Sequence, residues 1–231
     1  MFLVPVPLAP TEQRQWLSTQ QKSIVANLTI FVVENAKTAR QWLKHYSHPL
    51  PLRDLTILEM KVSDNDEDIR RYLAPLYEGK NIGVMSEAGC PGIADPGAKL
   101  VLQAHRAGLR VVPLVGPSSI LLALMASGLN GQRFTFHGYI PVDRHERIKA
   151  IAALEQRSKR DNETQIFIET PYRNDVLFRA LLETCASTTL LCIASDLTGM
   201  EEKIATRTIG EWRKKVANLE KRPAVFLLFA P

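Results

Sequence analysis

The sequence predicts an α/β protein of two domains, the first built on a mostly parallel sheet and the second on a mixed one. Three observations carry this expectation. Short apolar runs rich in β-branched residues alternate with helical patterns through the first 115 residues, as in a parallel sheet covered on both faces. Beyond that point strands follow one another more closely. The third is the stretch NIGVMSEAGCPGIADPG at 81–97, where a buried-strand pattern runs into a glycine- and proline-rich loop and then a helix. Loops leaving the carboxyl ends of parallel strands are where open α/β sheets take ligands, and glycine lets a backbone approach one without a Cβ in the way.

The elements follow in order. Residues 2–6 form a first apolar strand, which the prolines at 7–10 interrupt, and 15–26 suit a helix. Residues 28–33 are β-branched and aromatic, and the helix from Asn35 places Ala36, Ala39, Leu43 and Tyr46 at helical spacing. A third strand is expected at 56–60. The acidic stretch 64–68 then opens a helix whose Ile69, Tyr72, Leu73, Leu76 and Tyr77 form one stripe. The organising loop, a helix over 99–107 and a strand over 109–115 complete the first domain, 1–115. Gly116-Pro117-Ser118-Ser119 leads into an apolar helix at 120–127, a second loop of the ligand-holding kind. The second domain, 116–231, continues with strands at 133–140, 164–169, 189–195, 203–207 and 224–229. Helices are expected at 143–157, 175–184 and from Gly210.

Composition sets the frame. With 231 residues and 45% hydrophobic content the chain can bury a full core. A net charge of +5 is compatible with an acidic partner such as nucleic acid, although most cations alternate with acids. Cys90, Cys185 and Cys192 have no paired C-x-x-C spacing, so neither a zinc site nor a disulfide framework is indicated and a reducing cytoplasm fits best. The N-terminal MFLVPVPLAP lacks a basic leader and a small-residue cleavage site, so no export is expected. The longest apolar region, 111–129, is broken by Pro113, Gly116 and Pro117 and makes a poor membrane span.

SEAGCPGIADPG, GPSSILLALMASGL and RFTFHGYIP, in this order and at this separation, resemble the tetrapyrrole methylase superfamily of S-adenosylmethionine-dependent methyltransferases. Within it they are most similar to the branch that methylates a cytidine ribose 2′-hydroxyl in small-subunit ribosomal RNA. The resemblance continues through IFIETPYRN, SDLTGMEEKIATRTIGEW and KRPAVFLL and reaches back to VVENAKTARQWL. It implies two α/β domains with the donor S-adenosylmethionine in the cleft between them, and a homodimer. Carried over by position, Glu87, Ala88, Gly89, Cys90, Pro91, Gly92 and Ile93 match the loop that passes the donor, and Ser118, Ser119 and Ile120 match its second donor-contacting turn. Tyr172, Leu197 and Ala224 fall near segments that close over the adenosine. This chain departs from the ribosomal branch in several places. Glu87 replaces the usual aspartate; VPLAP stands for a glycine-bearing first loop; Glu34-Asn35-Ala36-Lys37 keeps the first acid of an EDTR-like segment and loses the second. Met60-Lys61-Val62-Ser63 replaces a histidine-rich stretch, and Ala224 takes the place of a late acid.

Methyl transfer from a sulfonium is an in-line displacement with an activated leaving group, so alignment supplies most of what the protein must add, on the order of 7–11 kcal/mol. A carboxylate or histidine near a ribose hydroxyl could take its proton, and Glu34, Asp95 and His137 are the candidates. Each also has a structural reading: Glu34 as a helix-start acid, Asp95 as an N-cap, His137 as a satisfied strand histidine. No nucleophile–base pair is recognisable, so neither a covalent intermediate nor a metal is expected. For contact with RNA the sequence offers Arg144, Arg147, Lys149, Arg157, Lys159 and Arg160 around one helix, and Lys214, Lys215, Lys221 and Arg222 near the C-terminus. The rival functions are a methyltransferase for a tetrapyrrole or other small molecule and a donor-binding protein without turnover.

Overall fold

The computed structural model describes residues 1–9, 18–215, 219 and 221–231. They form two compact units, Met1–Ser118 and Ser119–Pro231.

In the first unit, β1 (Phe2–Leu3), β2 (Ile30–Val33), β3 (Thr56–Glu59), β4 (Ile82–Met85) and β5 (Val112–Pro113) make one sheet in the order β3-β2-β4-β1-β5. Every pairing in it is parallel. Its crossovers are α1 (Thr19–Ala26), α2 (Ala36–His45), α3 (Asp66–Tyr77) and α4 (Gly97–Arg106). Alternate strand residues feed opposite cores. Val4, Phe31, Val33 and Met85 pack with Val25, Ala39, Trp42 and Leu43 on one face. Met1, Val32, Ile82 and Val84 pack with Ile69, Tyr72, Leu73, Leu100 and Ala104 on the other. After β3 the chain returns to insert β4 between β2 and β1, then leaves for β5 on the far side. The loops leaving β1, β2 and β4 diverge there, as they do at the switch points of open sheets.

Three elements differ from expectation. The first strand is limited to Phe2–Leu3, because Pro5 and Pro7 lack the amide hydrogens a longer ladder needs; Val6 pairs instead with Gly89 in an isolated antiparallel bridge. The strand expected over 109–115 is only Val112–Pro113. Its proline is tolerated because β5 is an edge strand: the amides of Val112 and Leu114 bond Met1 and Leu3, and position 113 faces outward. The helix expected from 15 begins at Thr19, capped by a Ser18–Gln21 box, and residues 15–17 lie outside those described.

The second unit holds α5 (Ser119–Ser127) and a mixed sheet of β6 (Phe134–Tyr139), β7 (Thr164–Glu169), β8 (Leu190–Ser195), β9 (Lys203–Thr208) and β10 (Ala224–Phe229), ordered β6-β7-β10-β8-β9. Only β6–β7 is parallel. One sheet face packs its Phe167, Leu191 and Phe226 against α6 (Arg144–Asp161), α7 (Asn174–Thr184) and α8 (Ile209–Lys214). The opposite face meets α5, to which Thr206 is tied through a hydroxyl bond to the Ser127 carbonyl. α6 runs four residues past the expected end at 157, to a left-handed Asn162; Ser158, fully buried, accepts a bond from the Ala230 amide and so belongs to the packed helix.

Gly83 shows how tightly the first sheet is packed. A Cβ there would stand 2.7 and 2.8 Å from the fully buried Phe31 ring and 3.0 Å from Leu28. Gly83→Ala is expected to cost about 1–3 kcal/mol of unfolding free energy, read from the urea midpoint with an unchanged m value.

Candidate active site

The carboxyl ends of β1, β2 and β4 converge on the loop that follows β4. The strand is entirely buried through Ser86, and the chain then surfaces at Glu87 and Ala88. Glu87 is held on both sides of its peptide. Its amide donates to Glu34 Oε2 at 3.0 Å, and its carbonyl accepts from the Trp42 indole N–H at 3.3 Å. Its carboxylate in turn accepts from the Thr38 hydroxyl at 3.5 Å. Glu34 immediately follows β2, and Thr38 and Trp42 lie on α2, so the sequence segment ENAKTARQW reaches the loop directly.

Gly89 sits at φ +73° and exchanges both backbone bonds with Val6, at 2.9 and 3.2 Å. A Cβ at Gly89 would come within 3.1 Å of Leu8 and 3.4 Å of the Pro117 carbonyl. This position requires glycine for both conformation and space. Cys90 turns its thiol to the Pro117 carbonyl at 3.2 Å, joining the first loop to the segment after β5, and burial pushes its pKa up and keeps it protonated. Asp95 closes the loop from the other end. Its carboxylate accepts the Gly92 amide at 2.9 Å and the Gly97 amide at 2.7 Å. Gly97 opens α4, so Asp95 does supply an acceptor to the helix start, although the N-cap position itself is Pro96. Between these fixed points Gly92, at φ +85°, has no atom within 4 Å of where a Cβ would stand, and Ile93 beside it is exposed. The loop is anchored at both ends and open in the middle.

Glu34 is not the cap of α2. That role belongs to Asn35, whose side chain accepts the Lys37 and Thr38 amides, while Glu59 at the end of β3 accepts the Ala36 amide at 3.0 Å. Burial raises the Glu34 pKa above the ordinary carboxylate range; the Glu87 amide opposes this, and the Asp95 and Glu87 carboxylates add to it. Burial likewise raises Asp95, against its two amide bonds.

Ser118 is half-buried, and Ser119 and Ile120 form the first turn of α5. In the second unit Tyr172, Leu197 and Ala224 gather at one end of the sheet. Ala224 pairs with Glu169, which ends β7, and with Ser195, which ends β8. Tyr172 follows Glu169 in a short 3₁₀ turn, is 79% exposed, and lies under the Lys221 ammonium at 5.8 Å. Leu197 is buried between the left-handed residues Asp196 and Thr198. His137 lies elsewhere, on β6, with its Nε2 2.7 Å from the Gln165 side-chain oxygen.

Trp42, Thr38 and Glu59 escape sequence reasoning. The stripe Ala36, Ala39, Leu43 and Tyr46 leaves Trp42 out, and nothing local names the carbonyl its indole must reach; a buried indole N–H without an evident partner is the available signal.

The raised pKa values fix a sign. Between the unfolded and folded pKa of Glu34 the folded state binds more protons, so this group's contribution to stability falls as pH rises through that window. The stability difference between wild type and Glu34→Gln should therefore move in the variant's favour as pH rises from about 4, as urea unfolding across a pH series will show. A pH-independent difference would remove the assignment.

The family model of the Tetrapyrrole (Corrin/Porphyrin) Methylases matches residues 14–212. A ribosomal RNA small subunit methyltransferase I of Xylella fastidiosa is 31% identical over 89% of this chain and 72% of its own length. The protein of that name from Escherichia coli O157:H7 is 27% identical over 99% and 77%. Among solved structures, diphthine synthase superimposes with a TM-score of 0.65 at 16% identity, covering 100% of this chain and 90% of that one. The methyltransferase CobJ does so with 0.59 at 20%, covering 93% of each. With a family match across most of its length, this chain belongs to the tetrapyrrole methylases and is a methyltransferase that draws on a methyl donor.

Proposed function

We propose that the protein transfers the methyl group of S-adenosylmethionine to a ribose 2′-hydroxyl of small-subunit ribosomal RNA. The observation that carries this reading is the similarity, over 89–99% of the chain, to relatives named for that class of RNA. The loop fits a small ligand: it is pinned at Glu87, Gly89 and Asp95, yet leaves open space above Gly92. S-adenosylmethionine supplies an already activated methyl on its sulfonium.

The residues of this chain then have two tasks. Glu87 through Ile93, with Ser118, hold the donor, and a site fixed in this way contributes mainly by alignment. Glu34 takes the hydroxyl proton. We assign this role to Glu34 rather than Asp95 because both Asp95 oxygens accept loop amides, whereas among the described residues only Oε2 of Glu34 is given to an amide. A raised pKa suits a base working near neutrality. The protein acts as a homodimer in the cytoplasm on this reading.

Two experiments test it. Calorimetric titration should show micromolar binding of S-adenosylmethionine, lost in Ser118→Trp, which puts bulk where the donor should lie. Labelled methyl should then pass into small-subunit RNA from cells lacking the protein and appear as a 2′-O-methylated nucleoside. Methyl in a small-molecule extract, with none in RNA, would overturn the acceptor. Glu34→Gln, which keeps an oxygen for the Glu87 amide, should lower kcat about 10²–10⁴-fold with donor affinity unchanged. Wild-type kcat should rise with pH through a carboxylate pKa displaced upward.

A further inference from the structure

Of the cations singled out in the sequence for RNA contact, most of those on α6 are paired or buried. Of those on α6, Arg157 pairs with Glu163 at 2.8 Å, Arg160 with Asp161 at 2.7 Å, Lys149 with Glu146 at 3.3 Å and Arg144 with Glu183 at 3.8 Å. Arg147 is buried and donates to the Val142 carbonyl. Helix α2 is the opposite case. Its ten residues, AKTARQWLKH, include no acid. Ala39, Trp42 and Leu43 face the core, and the outward side is made of Lys37, Arg40, Gln41, Lys44 and His45, all exposed. Among the described residues no carboxylate pairs with Lys37, Arg40 or Lys44.

We propose that this outer face of α2 is the surface along which the protein holds the RNA phosphate backbone. The inference rests on the acceptor being RNA, as proposed above. Three features support it beyond the charge itself. The helix starts beside the candidate site, since Asn35 follows Glu34 and the inner side of the helix holds Glu87 through Thr38 and Trp42. Lys37 to Lys44 spans about 10 Å along the axis, the length over which one nucleic-acid strand carries about three phosphates. And the apolar side of α2 is packed in the protein core, which leaves none to insert into a lipid surface as a membrane-binding amphipathic helix does.

The test is a triple variant, Lys37→Gln, Arg40→Gln and Lys44→Gln; glutamine keeps the helix propensity of the residues it replaces. Binding of full-length protein to small ribosomal subunits from cells lacking it is measured against salt concentration. The variant should bind about tenfold or more weakly at low salt, with a salt slope smaller by about two to three, and with unchanged affinity for S-adenosylmethionine. A parallel variant of α6, Lys149→Gln, Lys159→Gln and Arg160→Gln, should bind as wild type. Wild-type binding that is salt-sensitive yet equal in the α2 variant would overturn this inference and leave the RNA reading standing. Wild-type protein that binds the donor but neither subunits nor naked ribosomal RNA would overturn the RNA reading itself, and this inference with it. Loss in the α2 variant of binding to anionic phosphatidylserine vesicles, with RNA binding intact, would assign the face to a membrane instead.

Discussion

Where β4 ends, its neighbours in the sheet cannot follow, and the peptide groups of the next ten residues need partners from elsewhere. The loop solves this with side chains rather than with further secondary structure. Glu34 receives the first amide, Asp95 receives those of Gly92 and Gly97, Val6 pairs with Gly89, and Trp42 donates to the Glu87 carbonyl. Glu34 follows β2, Val6 lies beyond β1 and Trp42 is on α2, whereas Asp95 belongs to the loop itself. The loop conformation is thus a consequence of the parallel sheet's strand order, which brings the ends of β1, β2 and β4 side by side.

Using carboxylates as acceptors has an electrostatic cost. Glu34 and Asp95 are partly desolvated, and the Asp95 carboxylate adds to the proton affinity of Glu34, so their charged forms are held less favourably than in water. A neutral acceptor would satisfy an amide at less expense of solvation. Retaining two acids in contact with a loop that is otherwise glycine, cysteine, proline and small apolar residues is the kind of local disadvantage found at working sites. The same arrangement separates their duties: Asp95 is turned inward to the loop, while Glu34 has one oxygen left to act.

Much of the fold was legible because its signals are local. The period-2 and continuous apolar runs at 30–33, 82–85, 164–169 and 224–229, and the capping residues Asn35, Asn65 and Asp143, mark their elements without reference to the rest of the chain. The strand limits at 2–6 and 109–115 were not legible, since they depend on which neighbour each amide meets. Residues matching the donor loop could be named from the sequence, but not what fixes it. Trp42 to Glu87 and Cys90 to Pro117 join positions 45 and 27 residues apart. The charge balance of α6 was likewise not legible locally, since acids that pair with it lie beyond its end, at Glu163, and on α7, at Glu183.

α2 gathers these strands of argument into one element. Its amphipathic pattern does more than bury a face. The inner side carries Trp42, whose ring completes the core while its N–H reaches out of it to the Glu87 carbonyl, so packing and loop position are one constraint. The outer side carries Lys37, Arg40, Gln41, Lys44 and His45 and no acid. A charge held on that surface is therefore attached rigidly, through two helical turns, to the peptide that anchors the loop. Phosphates bound along the helix would fix a ribose relative to Glu34 without any base being read, a division of labour in which backbone contacts position and other contacts specify. Lys44 and His45 in the last turn of α2 suit the helix dipole, which favours cations there; Lys37 in the first turn does not, and on this reading phosphate contact is the reason for a cation at that end.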